Sequence, residues 1–420
     1  MRIAYFCQYF VPESAAPAAR VSELAHEWTE AGHQVTVITG LPNHPTGVVP
    51  DEYRGVVFRR ERLRGVDVWR NWLYATPNEG FIKKTLSHLS FMLSTLVLSV
   101  PRLRGHDVII VSSPSFFVVI TACLAHWIWR IPYVFEVRDL WPGVFVELGV
   151  LRNRLLIGAL KRLEMFLYRR AVRVVVVTEA FRDVLIARGL PPASVSVVTN
   201  GVDVSLFQPS LEGRASIRRQ HKLEDAFVVL YIGAHGISHG LGSILEVARR
   251  LADQPAVRFV FVGAGAQKAS LVAQAEKMAL ANVRFLPSQP RERVPDWYNG
   301  ADVVLVPLRN IPMFETFIPS KMFEIMACAR PILASVRGES RRIFERSQGA
   351  LVVDPEDAPA IAGAISRLEQ DAALRAELGQ RGRRFVLAEY DRRVLAERYL
   401  DILASASGVP RGGVTPSSGS

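Results

Sequence analysis

Short apolar runs alternate with helical segments in two successive series along this chain, and this alternation constrains the fold more than any other feature. The first series has strand-like runs at 3–6, 35–39, 56–59, 66–70, 108–111, 133–137, 174–177 and 195–198. The second has runs at 227–232, 258–262, 283–285, 303–306 and 331–335. Helical patterns such as Ala18–Ala31 and Phe181–Arg188 lie between them. Strands that alternate with helices predict an α/β fold with parallel, doubly wound sheets.

The length of 420 residues predicts two domains, each large enough for its own core. We place a Rossmann-like domain at 1–203 and a second at 204–389, with a helix at 390–407 that crosses back to the first. Residues 408–420 are rich in Gly, Ser, Pro and Thr, a composition typical of a disordered tail. Two such sheets that face each other across a cleft predict a nucleotide site at the carboxyl ends of the strands.

Composition favours a cytosolic enzyme. Of the residues, 49% are hydrophobic and 22% are charged, as in globular proteins. The three cysteines, Cys7, Cys123 and Cys328, are far apart in sequence, which predicts neither a disulfide framework nor a structural zinc site. The apolar run after Met1 is too short for a signal peptide. Residues 85–100 are too short to span a bilayer, and 108–129 is predicted as a buried strand, turn and helix.

Residues 319–331, with the sequence Pro-Ser-Lys-Met-Phe-Glu-Ile-Met-Ala-Cys-Ala-Arg-Pro, read as a turn that enters a helix between two strands. Pro319 and Ser320 suit a helix start, where a serine oxygen can accept from a free amide. Lys321 and Glu324 are three apart and therefore share one helical face. A cation at a helix start suits a phosphate, and a carboxylate one turn later suits ribose hydroxyls. A capped surface helix with a Lys–Glu pair is the alternative.

This segment resembles the nucleotide-sugar site of family-4 retaining glycosyltransferases with the GT-B fold, in the bacterial branch that builds O-antigen, capsule and colanic-acid type polysaccharides. The likeness extends from Met1 to about residue 403. It implies that Glu324 binds the ribose and that Phe317, Ile318, Pro319 and Ser320 line the donor site. The wider family has a second Glu where this chain has Thr316, next to Glu315.

A glycine-rich loop, Gly233-Ala-His-Gly236-Ile-Ser-His239-Gly240, joins a predicted strand to a predicted helix. Its glycines allow a phosphate to approach the backbone closely, although such glycines often mark only a turn. In the family this loop covers the donor diphosphate, often with an Arg and a Lys that are absent here. We therefore expect Lys321 to be the main cation, helped by a partly protonated His239. Gly265, after the next strand, is expected to line the base or ribose pocket.

Arg138 and Asp139 follow a predicted strand in the first half, where Phe135–Pro142 would open into the cleft. A structural pair between Arg138 and a carboxylate is the alternative. Many family members have His-Asp at these positions. The resemblance implies that Asp139 accepts or orients the acceptor hydroxyl proton and that Arg138 contacts the donor sugar or phosphate.

The loop after the first strand resembles the acceptor-side loop of the family, which usually has paired glycines. Its residues Glu13, Ser14, Ala15 and Ala16 are therefore expected on the acceptor side. His44, in the loop after the second strand, is a weaker acceptor-side candidate.

The resemblance implies transfer with retained configuration from a nucleotide-sugar to a saccharide or polyprenyl-diphosphate-linked saccharide. A UDP-linked N-acetyl deoxyamino sugar, of the L-fucosamine type, is the first donor expected. The chain contains no Asp-x-Asp, so we expect no metal and no cofactor. A nucleotide-sugar epimerase of the same fold and a non-catalytic nucleotide-sugar-binding protein are the alternatives. A nicotinamide enzyme is disfavoured, because neither glycine-rich turn has the required spacing.

The net charge of +11 lies mostly in residues 1–200, with clusters at 59–64, 83–84 and 152–173. A basic surface with apolar side chains predicts peripheral binding to the anionic cytoplasmic face of the inner membrane. Ordinary solvated charges on a packed helix are the alternative. Nucleic acid is not expected as a partner, because no binding module or basic stretch interleaved with aromatic residues is present.

Overall fold

The structure is a computed structural model that describes residues 1–13, 16–44, 46–77, 81–113, 115–141, 143 and 153–409. The chain divides into two compact units. Unit 1 comprises Met1–Thr199 and Leu395–Ser420, and unit 2 comprises Asn200–Val394.

The strands are β1 (Arg2–Phe6), β2 (Gln34–Gly40), β3 (Phe58–Leu63), β4 (Val66–Asn71), β5 (Val108–Ser112), β6 (Tyr133–Val137), β7 (Arg173–Val176), β8 (Val195–Val197), β9 (Phe227–Ile232), β10 (Val257–Val262), β11 (Val283–Leu286), β12 (Val303–Pro307), β13 (Ile332–Ser335) and β14 (Ala350–Val353). The helices are α1 (Ala16–Glu30), α2 (Phe81–Leu98), α3 (Val118–Trp129), α4 (Arg154–Arg170), α5 (Glu179–Ala187), α6 (Leu211–His221), α7 (Leu241–Arg250), α8 (Lys268–Lys277), α9 (Val294–Gly300), α10 (Lys321–Ala327), α11 (Gly338–Ser347), α12 (Ala358–Gln370), α13 (Ala372–Glu389) and α14 (Arg392–Ser407).

The described residues of unit 1 form an eight-stranded sheet with the order β3-β4-β2-β1-β5-β6-β7-β8. Its strands are parallel except for the pair β3 and β4, which is antiparallel. Our prediction of a wholly parallel sheet, with a strand from Val56, is wrong at this edge. Arg64 and Gly65 both have positive φ, 49° and 81°, and this left-handed pair turns the chain back as a tight hairpin.

Unit 2 holds a six-stranded sheet among its described residues, and its order is β11-β10-β9-β12-β13-β14 with every pairing parallel. The strand β9 is buried along its whole length, as parallel strands covered on both faces are. We did not predict β14, which is short and only half-buried.

Each sheet carries apolar cores on both faces. In unit 1, α2, α3, α4 and α5 pack on one face, whereas α1 and α14 pack on the other. Trp28 of α1 anchors α14, because its indole Nε1 donates to the Ala396 carbonyl at 3.0 Å and its ring meets that of Tyr399 edge to face. No helix within the described ranges is long and apolar enough to cross a membrane.

Candidate functional site

Lys321, the first residue of α10, lies against the carboxyl end of β9. Its ammonium donates to the Ile232 carbonyl at 2.9 Å and lies 4.1 Å from the centroid of the Tyr231 ring. Burial lowers the pKa of Lys321 to about 7, although the charge of Glu324 raises it. The structure therefore places the predicted cation at the end of a central strand, where its protonation is sensitive near neutral pH.

Gly233 makes room for that ammonium. Its φ is +139°, and a Cβ there would lie 2.7 Å from Lys321 Nζ. Gly263, at the end of β10, has a φ of +149°, and a Cβ there would lie 1.9 Å from the Gly233 carbonyl oxygen. Only glycine fits both positions, so the loops after β9 and β10 touch through bare backbone.

The other predicted glycine positions differ in whether their backbone conformation or surroundings require glycine. Gly240 adopts a left-handed φ of 57° immediately before α7, and Gly265 contacts the backbone of His235. Gly236 is extended and has open space where a Cβ would stand. The backbone at Gly236 therefore does not itself require glycine, although the open space beside it agrees with the expected loop.

Two histidines of the loop after β9 are neutral near physiological pH. Burial, followed by the charge of Lys321, lowers the pKa of His239 to about 4. The bond to the Pro307 carbonyl raises this pKa, and a weaker effect of His235 lowers it further. Our prediction of a partly protonated His239 is therefore wrong, because a buried imidazole beside Lys321 loses its proton. Burial and the charges of Lys268 and Lys321 lower the pKa of His235 to about 4 as well.

His235 is a site residue that sequence reasoning missed. It is buried, and neither ring nitrogen has a hydrogen-bond partner within the described residues. Its neighbour Lys268 donates to the carbonyls of Gly263 and Leu286 at 2.6 and 2.7 Å, which fixes the ends of β10 and β11. The signal that could have found His235 is a histidine between two glycines directly after an apolar strand.

The start of α10 is not capped by a side chain. Ser320 has helical backbone angles and makes no side-chain capping bond, so the predicted serine cap is wrong. The Met322 and Phe323 amides donate to the carbonyls of Pro319 and Ser320 at 3.0 and 3.1 Å. These two amides are therefore engaged within the chain as the helix enters in a tight turn.

The segment before α10 is partly exposed. Phe317 is exposed and packs edge to face on Phe314, while Ile318 and Pro319 are half-buried. Thr316, where the wider family has a Glu, donates from its hydroxyl to the Met313 carbonyl at 3.0 Å. The Thr316 hydroxyl is therefore engaged in a hydrogen bond within a short 3-10 turn.

Glu324 lies one turn into α10 and already has protein partners. The Tyr298 hydroxyl donates to one carboxylate oxygen at 3.0 Å, and an Arg291 nitrogen lies 3.8 Å from the other. Burial followed by the charge of Glu324 raises the pKa of Tyr298 well above its usual value, so that hydroxyl stays a donor. No ion pair within 4.0 Å joins Glu324 to Lys321 in the described part of the chain. This argues against the alternative of a surface helix with a Lys–Glu pair.

The predicted catalytic residues of unit 1, Arg138 and Asp139, lie at the carboxyl end of β6. The Ser113 hydroxyl accepts from the backbone amides of Arg138 and Asp139 at 2.7 and 3.3 Å and so fixes this turn. Asp139 is an exposed residue overall, and enclosure of its carboxyl group raises its pKa while Arg138 and Lys84 lower it. A carboxyl group with a raised pKa near a surface is suited to accept a proton.

Arg138 lies over a buried charge network that sequence reasoning missed. Glu136 is fully buried, and it accepts from Arg20 at 3.0 Å, from the Tyr5 hydroxyl at 2.7 Å and from the Ser112 hydroxyl at 2.8 Å. Burial lowers the pKa of Arg138, although Glu136 raises it. One guanidinium nitrogen of Arg138, Nη1, is buried without a hydrogen-bond partner among the residues described.

The Glu13 carboxylate makes hydrogen bonds inside unit 1. It accepts from the backbone amides of Phe10, Asn43 and His44 at 3.2, 2.9 and 2.8 Å. Burial raises the pKa of Glu13 even though these bonds lower it. The carboxylate thus joins the loops after β1 and β2, and its predicted contact with an acceptor competes with three amides.

The remaining acceptor-side candidates are only partly described. Ser14 and Ala15 lie outside the described residues, and Ala16 begins α1, with its side chain also outside them. The His44 ring lies 5.1 Å from that of Tyr9, edge to face. Burial and the charge of Lys84 lower the pKa of His44.

Lys84 of α2 is another residue whose effect on the site the sequence did not reveal. Its charge lowers the pKa of Asp139 and of His44, and it adds to the burial that lowers the pKa of His88 to about 4. The charge of Lys84 therefore acts on groups at the carboxyl ends of both β2 and β6. The sequence suggested Lys84 only as part of a basic cluster.

No group of three or more His, Cys, Asp or Glu side chains that could hold a metal ion occurs among the residues the structure describes. Among the described side chains, Lys321 and Lys84 can stabilise negative charge, and Asp139 can accept a proton.

Comparisons with known proteins cover both units. Residues 16–201 match the family described as glycosyl transferase 4-like domain, and residues 213–385 match glycosyl transferases group 1. The chain is 27% identical over 376 residues to an Escherichia coli K12 protein named as a colanic acid biosynthesis glycosyl transferase, covering 87% of this chain and 91% of that protein. It is 25% identical over 395 residues to a Bacillus subtilis 168 protein named as a teichuronic acid biosynthesis glycosyltransferase, covering 90% and 92%.

Among solved structures, Anabaena HepE in complex with UDP-glucose matches with a TM-score of 0.70 and 18% identity, covering 96% of this chain and 100% of that one. The likeness concerns the fold. The predicted fold class, GT-B with two Rossmann-like domains, is confirmed.

Proposed function

From the premise that the chain carries a glycosyl transferase 4-like domain followed by a group 1 glycosyl transferase domain, we propose that it is a retaining glycosyltransferase that uses a nucleotide-sugar. The observation that carries the proposal is the Lys321 ammonium at the carboxyl end of β9, 2.9 Å from the Ile232 carbonyl and accommodated by Gly233. A desolvated cation beside bare backbone suits a diphosphate whose charge grows as it leaves.

We assign the donor side to unit 2. Lys321 binds the diphosphate, and Glu324, whose second oxygen is 3.8 Å from Arg291, binds the ribose hydroxyls. His235 and His239 are neutral, so they act as hydrogen-bond donors and not as cations. HepE was crystallised with UDP-glucose, and this supports a UDP-sugar as the donor. The N-acetyl deoxyamino sugar is our first candidate.

The reaction breaks the bond between the anomeric carbon and the diphosphate oxygen and forms a bond from the acceptor oxygen on the same face. The acceptor proton passes to the departing phosphate or to Asp139, and the nucleoside diphosphate leaves with the bonding electrons. Lys321 offsets the developing negative charge. We propose that no metal takes part, since the chain lacks Asp-x-Asp.

We assign the acceptor side to unit 1. Asp139 accepts or orients the acceptor proton, because its pKa is raised and its turn is fixed by Ser113. Arg138 contacts donor sugar or phosphate through its unpartnered Nη1. The Lys84 cation stabilises negative charge that develops near Asp139.

The biological role that we propose is assembly of a bacterial surface polysaccharide. It is supported by relatives named for colanic acid and teichuronic acid biosynthesis. The acceptor is then a saccharide or a polyprenyl-diphosphate-linked saccharide, and the enzyme works peripherally on the cytoplasmic face of the inner membrane.

A thermal-shift panel of UDP-, GDP- and dTDP-sugars tests the donor first, because a ligand at about 100 times its Kd adds ~2.7 kcal/mol of stability. The expected result is a rise in Tm with UDP-sugars. Incubation with the bound sugar nucleotide, with and without an acceptor, then separates the classes. A changed sugar nucleotide without acceptor indicates an epimerase, binding without any turnover indicates a binding protein, and a product with inverted configuration contradicts retention.

A further inference from the structure

The C-terminal ends of α2, α3 and α4 form one surface of unit 1 on which large apolar side chains are exposed. Trp127 is 78% exposed and Ile128 is 52% exposed, both near the end of α3. The exposed apolar residues at the three helix ends are Leu93, Val97, Trp127, Ile128, Phe166 and, just after α4, Val172. We call this set the helix-end surface.

Hydrogen bonds hold the three helix ends side by side. The Trp129 indole nitrogen donates to the Val100 carbonyl at 2.8 Å, which joins the end of α3 to the chain after α2. The Tyr133 hydroxyl donates to the Leu167 carbonyl at 2.6 Å, which joins the start of β6 to the end of α4. The exposed apolar side chains therefore belong to one rigid surface.

The same helix ends carry cations without acidic partners. Exposed arginines there are Arg102, Arg104, Arg130, Arg169 and Arg170. None of them has an ion pair within 4.0 Å among the residues that the structure describes, and residues 93–106, 124–132 and 165–173 contain no Asp or Glu. The Arg170 guanidinium lies 5.4 Å from the centroid of the Phe166 ring, so charge and apolar surface alternate at close range.

We propose that the helix-end surface docks on an anionic lipid bilayer, with Trp127 and Ile128 entering the headgroup region and the arginines contacting lipid phosphates. This deepens the peripheral attachment that we propose above and rests on it. Cations at helix C-termini also offset the helix dipole, but that role does not account for an exposed Trp and Ile between them. Exposed Trp beside uncompensated arginines fits a membrane interface better than a nucleic acid or an acidic protein.

Co-sedimentation of the full chain with vesicles tests the proposal, using phosphatidylcholine alone and phosphatidylcholine with one third phosphatidylglycerol. We expect binding to the anionic vesicles at low salt and release near 0.5 M salt, where the screening length is about 4 Å. Trp127→Ser with Ile128→Ser keeps the charge, and it should weaken partitioning at least tenfold. Leu211→Ser is the control, because Leu211 is 86% exposed and lies at the start of α6 in unit 2.

A second pair of variants separates charge from apolar contact. Arg102→Gln with Arg104→Gln should lower partitioning by about fivefold for each charge removed. The control is Arg249→Gln with Arg250→Gln, which removes two charges from α7 in unit 2 and should leave partitioning unchanged.

Three results overturn the proposal: equal binding to neutral vesicles, unchanged binding of the Trp127 and Ile128 double variant, or no vesicle binding by the unmodified chain at low salt. Concentration-dependent dimers that the double variant abolishes would assign the surface to a second copy of the chain. The UDP-induced thermal shift is measured on the same samples. Its loss with vesicle binding intact contradicts the enzyme assignment alone, whereas its retention without vesicle binding contradicts only the membrane surface.

Discussion

Arg20 of α1 and Glu136 of β6 form an ion pair of 3.0 Å in the interior of unit 1, where their side chains are 7% and 0% exposed. The other nitrogens of Arg20 donate to the carbonyls of Val198 and Thr199 at 2.9 and 2.7 Å. The pair therefore ties α1 and the strand that precedes Arg138 and Asp139 to the segment where the chain leaves unit 1.

Glu136→Gln should destabilise the protein by about 3–5 kcal/mol, because it leaves the buried Arg20 without its countercharge. The free energy of unfolding from a urea titration measures this. Glu246→Gln is the control, since Glu246 pairs with Arg249 on the surface, and its free energy of unfolding should stay close to wild type. A Glu136→Gln change no larger than that of the control contradicts the role of the buried pair.

The same variant has a pH signature. Burial raises the pKa of Glu136, but Arg20, Arg138 and hydrogen bonds bring the net value below its usual 4.5. Its contribution to stability is therefore complete above about pH 4.5 and is lost as the pH falls through the lowered pKa. The difference in the free energy of unfolding between wild type and Glu136→Gln should therefore become smaller as the pH falls below about 4.5.

Much of the fold could be predicted because parallel strands buried on both faces are continuous apolar runs. The predicted and observed bounds of Phe227–Ile232 coincide for this reason. The strand β3, Phe58–Leu63, is half-exposed and rich in arginine, so the pattern predicted only a short run at 56–59. Its antiparallel direction depends on the turn at Arg64 and Gly65, which the pattern did not reveal.

The candidate site was only partly predictable. The Pro-Ser-Lys motif identified Lys321, but the neutrality of His239 and the enclosure of His235 depend on burial that the local sequence does not encode. The network around Glu136 joins Tyr5, which is 131 positions away along the chain. Such a network arises from strand order, and a one-dimensional pattern does not contain it.

UDP binding should weaken as the pH rises from 7 to 9. The pKa of Lys321 is about 7 in the free protein, and a bound diphosphate stabilises its charged form, so binding takes up a proton above pH 7. We expect the affinity to fall by up to roughly tenfold per pH unit, toward that of Lys321→Ala, whose affinity stays nearly constant. Titration calorimetry measures both. Lys277→Ala, at the exposed end of α8, is the control and should follow wild type. A flat wild-type profile removes Lys321 from the diphosphate site.

Glu324→Gln should weaken nucleotide-sugar binding by ~1.5–3 kcal/mol, the range for a hydrogen bond to a charged group. A glutamine can still accept from the Tyr298 hydroxyl, so the fold around α10 should be kept. Calorimetry gives the affinity and thermal unfolding checks the fold. Tyr298→Phe is the companion variant, because it removes the internal bond and leaves the carboxylate. Unchanged donor affinity in Glu324→Gln means that Glu324 only supports Tyr298.

Asp139→Asn should abolish most turnover and leave donor affinity nearly intact. The donor residues that we assign lie in unit 2, whereas Asp139 follows β6 in unit 1, where its amide donates to Ser113. Asparagine keeps that backbone bond, so the loss reflects the proton-accepting group and not the turn. Initial rates with saturating donor, paired with UDP titration, separate the two effects. Turnover within a few-fold of wild type assigns Asp139 a structural role and moves the base elsewhere.

Activity should persist in excess EDTA, and Lys321→Ala should cost about 10²-fold or more in turnover, comparable with the loss of one preorganised donor to a developing anion. The reason is local: the Met322 and Phe323 amides at the start of α10 donate to Pro319 and Ser320, so they are not available to the diphosphate, and the lysine must offset more of its charge. Rates are compared with EDTA, with added Mg²⁺ or Mn²⁺, and with Lys277→Ala as the matched control. A strict metal requirement combined with a nearly silent Lys321→Ala would mean that a cation outside the chain stabilises the leaving group.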